Sequence, residues 1–325
     1  MKKEKKILHN VSSIQRLFLI ISIIIICLLF TFLSRDFLKI SSLITILQTM
    51  TITCVIAIGI TFVLSIGEID VSMGAMLSVP TVIIAVLINN NVPTICAVII
   101  AFIVVFGLGL LNGILTAKFH IPSFVGTLGV QGVAMGLSRI ISNNTSIQIK
   151  DDALLNTFGK YVGESRFPTI IIWLIIAVVV GYILFHKSNY GRNAQCVGDN
   201  KVAAFLYGIN VEKTIIISFL MCAVFTFLAA LLMVSRSGFA TPGEGESYTL
   251  DAIVAAVIGG TSIHGGKGSI IGSFFGALFF GIISYGLFLL SFNSWTEKIV
   301  SGVIVIIVLT ISSIMDNRKR ALQQT

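Results

Sequence analysis

Glu68 and Asp70 stand two residues apart, at a break between two long apolar runs, 41–66 and 72–89. A carboxylate among apolar residues is costly unless it pairs, caps a helix or meets water. Two chemistries are open here. The pair can form a gate or line a solute path. Alternatively, Asp70 caps the following helix, where a carboxylate meets four unpaired N–H groups and the positive dipole end. The cap is the favoured reading for Asp70, while Glu68 reaches water. Uncharged polar residues inside apolar runs are the other candidates. Asn112 and Gln131 lead, followed by Thr61, Thr127, Thr261 and Ser262. Each can hydrogen-bond a solute in a cavity or a neighbouring helix.

Several chemistries are excluded. Cys27, Cys54, Cys96, Cys196 and Cys222 include no C-x-x-C pair, and His9, His120, His186 and His264 are scattered. Neither a disulfide framework nor a metal site is expected. No Ser-His-Asp set or carboxylate pair lies at usable spacing, so no catalytic residue is assigned. The run GGTSIHGGKG (259–268) invites a phosphate-loop reading, but Gly268 follows Lys267 where Ser or Thr is needed. The chain is expected to bind no nucleotide and no cofactor.

The elements that position these residues are membrane spans. Of 325 residues, 56% are hydrophobic and 11% charged, with mean hydropathy +1.01. Soluble domains carry about 25% charged residues, so lipid must solvate this surface. Runs long enough to cross fall at 17–34, 41–66, 72–89, 93–117, 121–141, 168–186, 213–235, 250–262, 270–290 and 297–315. The eighth is short and ends in glycines, as a broken or re-entrant helix would. The expected fold is all-α: one polytopic domain, 1–325, of about ten helices. MKKEKK and the apolar run after it read as an uncleaved first span, because the run is too long for a signal and lacks a cleavage site. With ten spans, 14 of the 22 Lys and Arg residues fall on the side of the termini. That bias puts tails 1–16 and 316–325 and the loop 187–212 in the cytoplasm. The net charge of +8 reflects this bias, and no nucleic-acid partner is expected.

Inside that loop, Val202, Phe205, Leu206 and Ile209 follow helical spacing, so about two turns carry one apolar face. Asp199 or Asn200 can cap the start and Gly208 the end. Such a helix either lies on lipid headgroups or plugs a protein groove. Gly268, Gly272 and Gly276, four apart, allow close helix packing on one face.

Three ordered stretches resemble one family. GRNAQCVGDNKVAAFLYGINVEK (191–213) resembles the coupling loop of monosaccharide ABC transporter permeases of the ribose/xylose/arabinose/galactose type. SIGEIDVSMGAMLSV (65–79) resembles their G-I-D-L-S-V-G segment. ESYTLDAIVAAVIGGTSIHGGKGSIIGSFFGALFFGII (246–283) resembles their Gly-rich C-terminal signature. The likeness runs over roughly 35–315. Glu68 stands where the family favours a small residue, and Met73 and Ala75 replace Val and Ser.

The resemblance implies a bacterial cell-membrane importer. Two permease subunits, alike or different, take a solute from an extracytoplasmic binding protein. An ATPase subunit with two nucleotide-binding domains holds ATP and Mg. It also implies that Gly191, Arg192, Asn193, Gly198, Asp199, Asn200, Ala203, Ala204, Phe205, Gly208 and Ile209 form the coupling loop. The cargo it implies is a neutral sugar such as ribose, which suits the uncharged path candidates. Nucleosides, autoinducer-type solutes and branched-chain amino acids are alternatives, and an ATP-independent secondary transporter is a further one. Loops 142–167 and 236–249 are the expected landing surface for the binding protein.

Overall fold

The computed structural model describes residues 19–159 and 168–310, apart from 294, 297, 301, 305, 308 and 309. The expected tails 1–16 and 316–325 lie outside the described residues, as do 160–167 of the expected landing loop. Almost everything described is helix. The first four helices are α1 (Leu19–Leu33), α2 (Ile40–Ser65), α3 (Met73–Asn89) and α4 (Thr94–Ala117). Next come α5 (Ser123–Ile141), α6 (Asp152–Phe158) and α7 (Thr169–Tyr182), which widens into a π-helical turn, Ile183–Lys187. They are followed by α8 (Asn189–Asp199), α9 (Lys201–Leu206), α10 (Val211–Ser237), α11 (Glu246–Ile258) and α12 (Ile270–Leu289). Two short strands, β1 (Ile147–Gln148) and β2 (Phe239–Ala240), pair antiparallel with Ile147 opposite Ala240.

Six of the helices are long and apolar enough to cross a membrane: α2, α4, α5, α7 with its π turn, α10 and α12. The chain is therefore an all-α polytopic membrane protein. Of the other four expected spans, α1 and α3 are apolar but shorter, and α11 has only 13 residues. The tenth, 297–315, is described only in part.

α2 sits at the centre. It is apolar on every side, and no residue from Met50 to Ser65 is exposed, as expected for a helix ringed by other helices. α4 lies at the edge and turns a stripe of Ile95, Ile99 and Ile103 outward at four-residue spacing. No described residue covers that stripe, which suits a face turned to lipid.

α2 and α10 head two similar units of opposite direction. Each long helix is followed by an irregular break, a shorter helix (α3, α11) and a longer one (α4, α12). The breaks begin alike: Gly67-Glu68-Ile69-Asp70 and Gly243-Glu244-Gly245-Glu246. Gly67 and Gly243 adopt left-handed φ of 78° and 79°, which only glycine takes at no steric cost. α2 ends where α8 and α9 pack, whereas α10 starts there. Inverted repeats with broken helices place irregular backbone inside the bundle. Here the two units meet in the interior. The Gly245 N–H donates to Ser78 Oγ (3.4 Å), and a Cβ on Gly245 would lie 2.1 Å from the Gly74 carbonyl oxygen. Ser78 is about 17 Å along α3 from Asn89 at 1.5 Å per residue, so this crossing lies deep in the bundle.

Candidate functional site

The end of the molecule that carries α8 and α9 is a set of interlocked loops. Asn200 is extended (φ −157°, ψ 107°) and splits the region into two helices. Its Oδ1 accepts from the Ala203 N–H (3.0 Å). The cap is thus Asn200, not Asp199, because Asp199 is consumed as the last residue of α8. α9 has six residues, fewer than the two turns expected. Gly208, at φ 81°, ends it.

Val202, Phe205, Leu206 and Tyr207 point into solvent, with Phe205 68% and Leu206 78% exposed. The expected apolar face is divided, because Ile209 packs back on the main core while Ala204 is buried and Ala203 half-buried. α9 therefore projects an apolar tip on a short, anchored stalk.

The stalk is held by close backbone packing. A Cβ on Gly191 would sit 1.8 Å from the Phe185 carbonyl oxygen, so Gly191 is a packing point within α8. Arg192 hydrogen-bonds Asn189 on its own helix, and Asn193 is half-buried. A Cβ on Gly198 would sit 1.9 Å from the Ser65 carbonyl oxygen, which also accepts from the Gly266 N–H (2.9 Å). Gly266 lies against Asp199, and Gly67 against the His264 carbonyl. Lys201 on α9 pairs with Glu68. The stalk thus clamps both the 66–72 break and the Gly-rich turn 259–269. The Glu68–Lys201 pair was missed in the sequence. Its signal was opposite charge on two loops assigned to one side.

The second feature is a buried polar cluster. Asp70 and Asn112 are each 1% exposed. Asp70 Oδ1 accepts from both the Ser72 N–H (2.8 Å) and its hydroxyl (2.6 Å). Asn112 Nδ2 donates to Ser72 Oγ (2.8 Å) and, at 3.5 Å, to Asp70 Oδ2. Asp70 is not the N-cap of α3. That position is Ser72, whose hydroxyl is turned back onto Asp70. The carboxylate instead fixes the extended segment leading into α3.

Most of the expected path residues serve the scaffold. Thr127 Oγ1 accepts from the Val71 N–H (3.2 Å), and Ser123 Oγ from the Ile69 N–H (3.0 Å). Thr61 shares a 2.7 Å bond with Ser273 across α2 and α12. Thr261 Oγ1 accepts from the Ser269 N–H (3.3 Å) and Ser262 Oγ from the His264 N–H (3.2 Å), so both shape the Gly-rich turn. Asn112 Oδ1 has no hydrogen-bond partner among the described residues, yet it is sealed from solvent. Gln131 is half-buried on α5, one turn after Thr127.

Gly272 and Gly276 face α11, where added Cβ atoms would meet the Gly259 carbonyl oxygen at 1.8 Å and that of Ala255 at 2.0 Å. Gly268 does not share this face. It precedes α12 and packs on Phe185 and Thr61. Among the described residues no cluster of His, Cys, Asp and Glu could hold a metal.

The family described as branched-chain amino acid transport system / permease component matches residues 42–309. The ribose import permease protein RbsC of Bacillus subtilis (strain 168) is 31% identical over 322 residues, 98% of each chain. Its namesake from Escherichia coli (strain K12) is 30% identical over 303 residues, 93% of each. The galactose/methyl galactoside import permease protein MglC of the same organism is 29% identical over 301 residues, 87% of this chain and 90% of that one. No solved structure matches.

Proposed function

The chain belongs to this family of ABC-transporter permease components, and on that premise we propose that it is the membrane subunit of an ATP-driven importer of a monosaccharide, ribose foremost. It sits in the bacterial cell membrane with its termini and the α8–α9 loop in the cytoplasm, and its chain crosses about ten times. Two such subunits, alike or different, pair in the bilayer. An extracytoplasmic binding protein lands on the end that carries β1 and β2. An ATPase with two nucleotide-binding domains docks on α9 and holds the ATP and Mg. Ribose leads because relatives named for ribose import align over nearly the whole chain; the family's printed description keeps branched-chain amino acids as the competing cargo.

One observation carries the reading: α9 exposes Phe205 and Leu206 while its stalk is locked to two helix breaks. An exposed apolar tip fits a groove on a partner. A moving partner shifts a permease only through contacts that differ between its states, and the stalk supplies them. Displacing α9 would pull Ser65, Glu68 and Gly266 together. Motion would thus reach α2, α3, α11 and α12 directly, in addition to the spans flanking the loop.

The test is Phe205→Asp in membrane vesicles with the partner ATPase and binding protein. The variant should insert at normal levels but lose ATP-dependent ribose uptake. Undiminished uptake would refute the docking role of α9. Uptake of leucine rather than ribose by the unaltered complex would change the cargo and keep the machine.

A further inference from the structure

We infer that the solute passes through a cavity beside the first two turns of α11, where it is held by its hydroxyls as a neutral monosaccharide; this rests on the importer reading above. The cavity measures about 580 Å³, within the ~300–1,000 Å³ of small-molecule sites. Its walls include Thr53 of α2, Glu246 and Asp251 of α11, Phe280 and Ser284 of α12, and Lys298.

Three observations support this. The first is depth. Thr53 lies 13 residues into α2 from Ile40, about 20 Å along the helix. α11 begins beside Ser78, also deep in the bundle. Charged and hydroxyl groups at that depth are costly against lipid and mark solute pathways. The second is chemistry. Carboxylates accept hydrogen bonds, an ammonium donates, and Ser and Thr hydroxyls do both. A polyol presents both kinds of group around its ring. Two acids are balanced by Lys298 and by Arg236, whose guanidinium reaches the Thr49 hydroxyl at the cavity wall, which suits an uncharged solute.

The third is linkage to the lever. α11 runs from the cavity to the 259–269 turn, which the α8–α9 stalk clamps through Gly198, Asp199 and Gly266. The contact of Gly272 and Gly276 with α11 makes the α11–α12 hairpin one body. Movement of α9 therefore reaches the cavity wall. Asn112, Thr61 and Thr127 lack this setting: they are sealed inside the chain.

The test uses Glu246→Gln and Asp251→Asn, singly and together, in vesicles containing the whole complex. The readout is ribose, xylose and galactose moved per ATP hydrolysed. A hydrogen bond to a charged group contributes about 1.5–3 kcal/mol, so the double variant should lower that ratio by about tenfold or more. A ratio within twofold of the unaltered complex would overturn the proposal. Should the double variant fail to insert, Ser284→Cys decides in a chain with Cys96 and Cys196 replaced. Its reaction with a small maleimide should be slower with sugar-loaded than with empty binding protein during ATP turnover, and equal rates would overturn the proposal. Failure of the unaltered complex to move any of the three sugars would refute the monosaccharide reading itself, and this assignment with it.

Discussion

Breaking the Glu68–Lys201 pair tests whether the stalk transmits motion. Glu68 is 13% exposed and Lys201 48%. Half of the pair thus sits in water, where an ion pair contributes about 0.5–1 kcal/mol, far less than a fully buried one. At 1.4 kcal/mol per tenfold, that energy shifts a two-state equilibrium by about twofold to fivefold. Glu68→Gln and Lys201→Gln should each lower sugar moved per ATP hydrolysed by that factor. Glu68→Lys with Lys201→Glu should restore most of it. The effect should shrink in high salt, because the lysine side is open to ions. The assay is vesicle uptake measured beside phosphate release from the same sample. Equal losses in the single and the swapped variants would refute pairing. No loss in either single would show that the backbone contacts of Gly198 and Gly266 transmit motion without it.

Two further outcomes concern stability. Gly276→Val should be poorly tolerated. Even a Cβ there would meet the Ala255 carbonyl oxygen at 2.0 Å, so α11 and α12 must separate; overpacking of this kind costs about 1–3 kcal/mol or more, read as a lower midpoint of thermal unfolding in detergent. Asp151→Ala should cost about 1 kcal/mol at pH 7, because its carboxylate caps α6 through the Leu154 N–H (2.9 Å). The Thr94 hydroxyl, then that N–H, hold this carboxyl below its ordinary value. A lowered folded-state value means that the contribution is present above the unfolded value, about 3.9, and disappears as pH falls through the folded one. Unfolding midpoints of variant and parent should therefore converge only below about pH 4; convergence near neutrality would refute the charged cap.

What was legible in the sequence followed apolar run length and local turn chemistry. Long runs gave α2, α4, α10 and α12, and Gly208 marked the end of α9. Asp70 and Gly268 depart from their sequence reading for one reason: spacing shows only neighbours a few residues away, whereas in the fold Asn112 binds Asp70 and Phe185 fills the space at Gly268. The threonines were ambiguous for the same reason, since a hydroxyl in an apolar run looks alike whether it faces a solute or Ser273.

Reading 236–249 as an outer loop hides the role of Glu246, and Asp251 falls inside the expected eighth span, 250–262. A signal was present in the two Gly-Glu-x-acid breaks, one after each buried long helix. Read together, they say that α11 begins inside the bundle as α3 does. The two copies have diverged in use. In the first, Asp70 is closed over by Ser72 and Asn112 and holds backbone. In the second, Glu246 stays exposed at a cavity mouth. A backbone break must satisfy its N–H and C=O groups wherever it lies in a membrane. Asp70, satisfied internally, makes a rigid pivot; the second break closes its own backbone, with the Gly245 N–H on Ser78 and the Glu246 N–H on the Gly243 carbonyl, and leaves the Glu246 carboxylate at the cavity mouth for a polar solute. The pivot and the opening are tied to the same stalk, at Glu68 and at Gly266. A single displacement of α9 therefore acts on both copies at once.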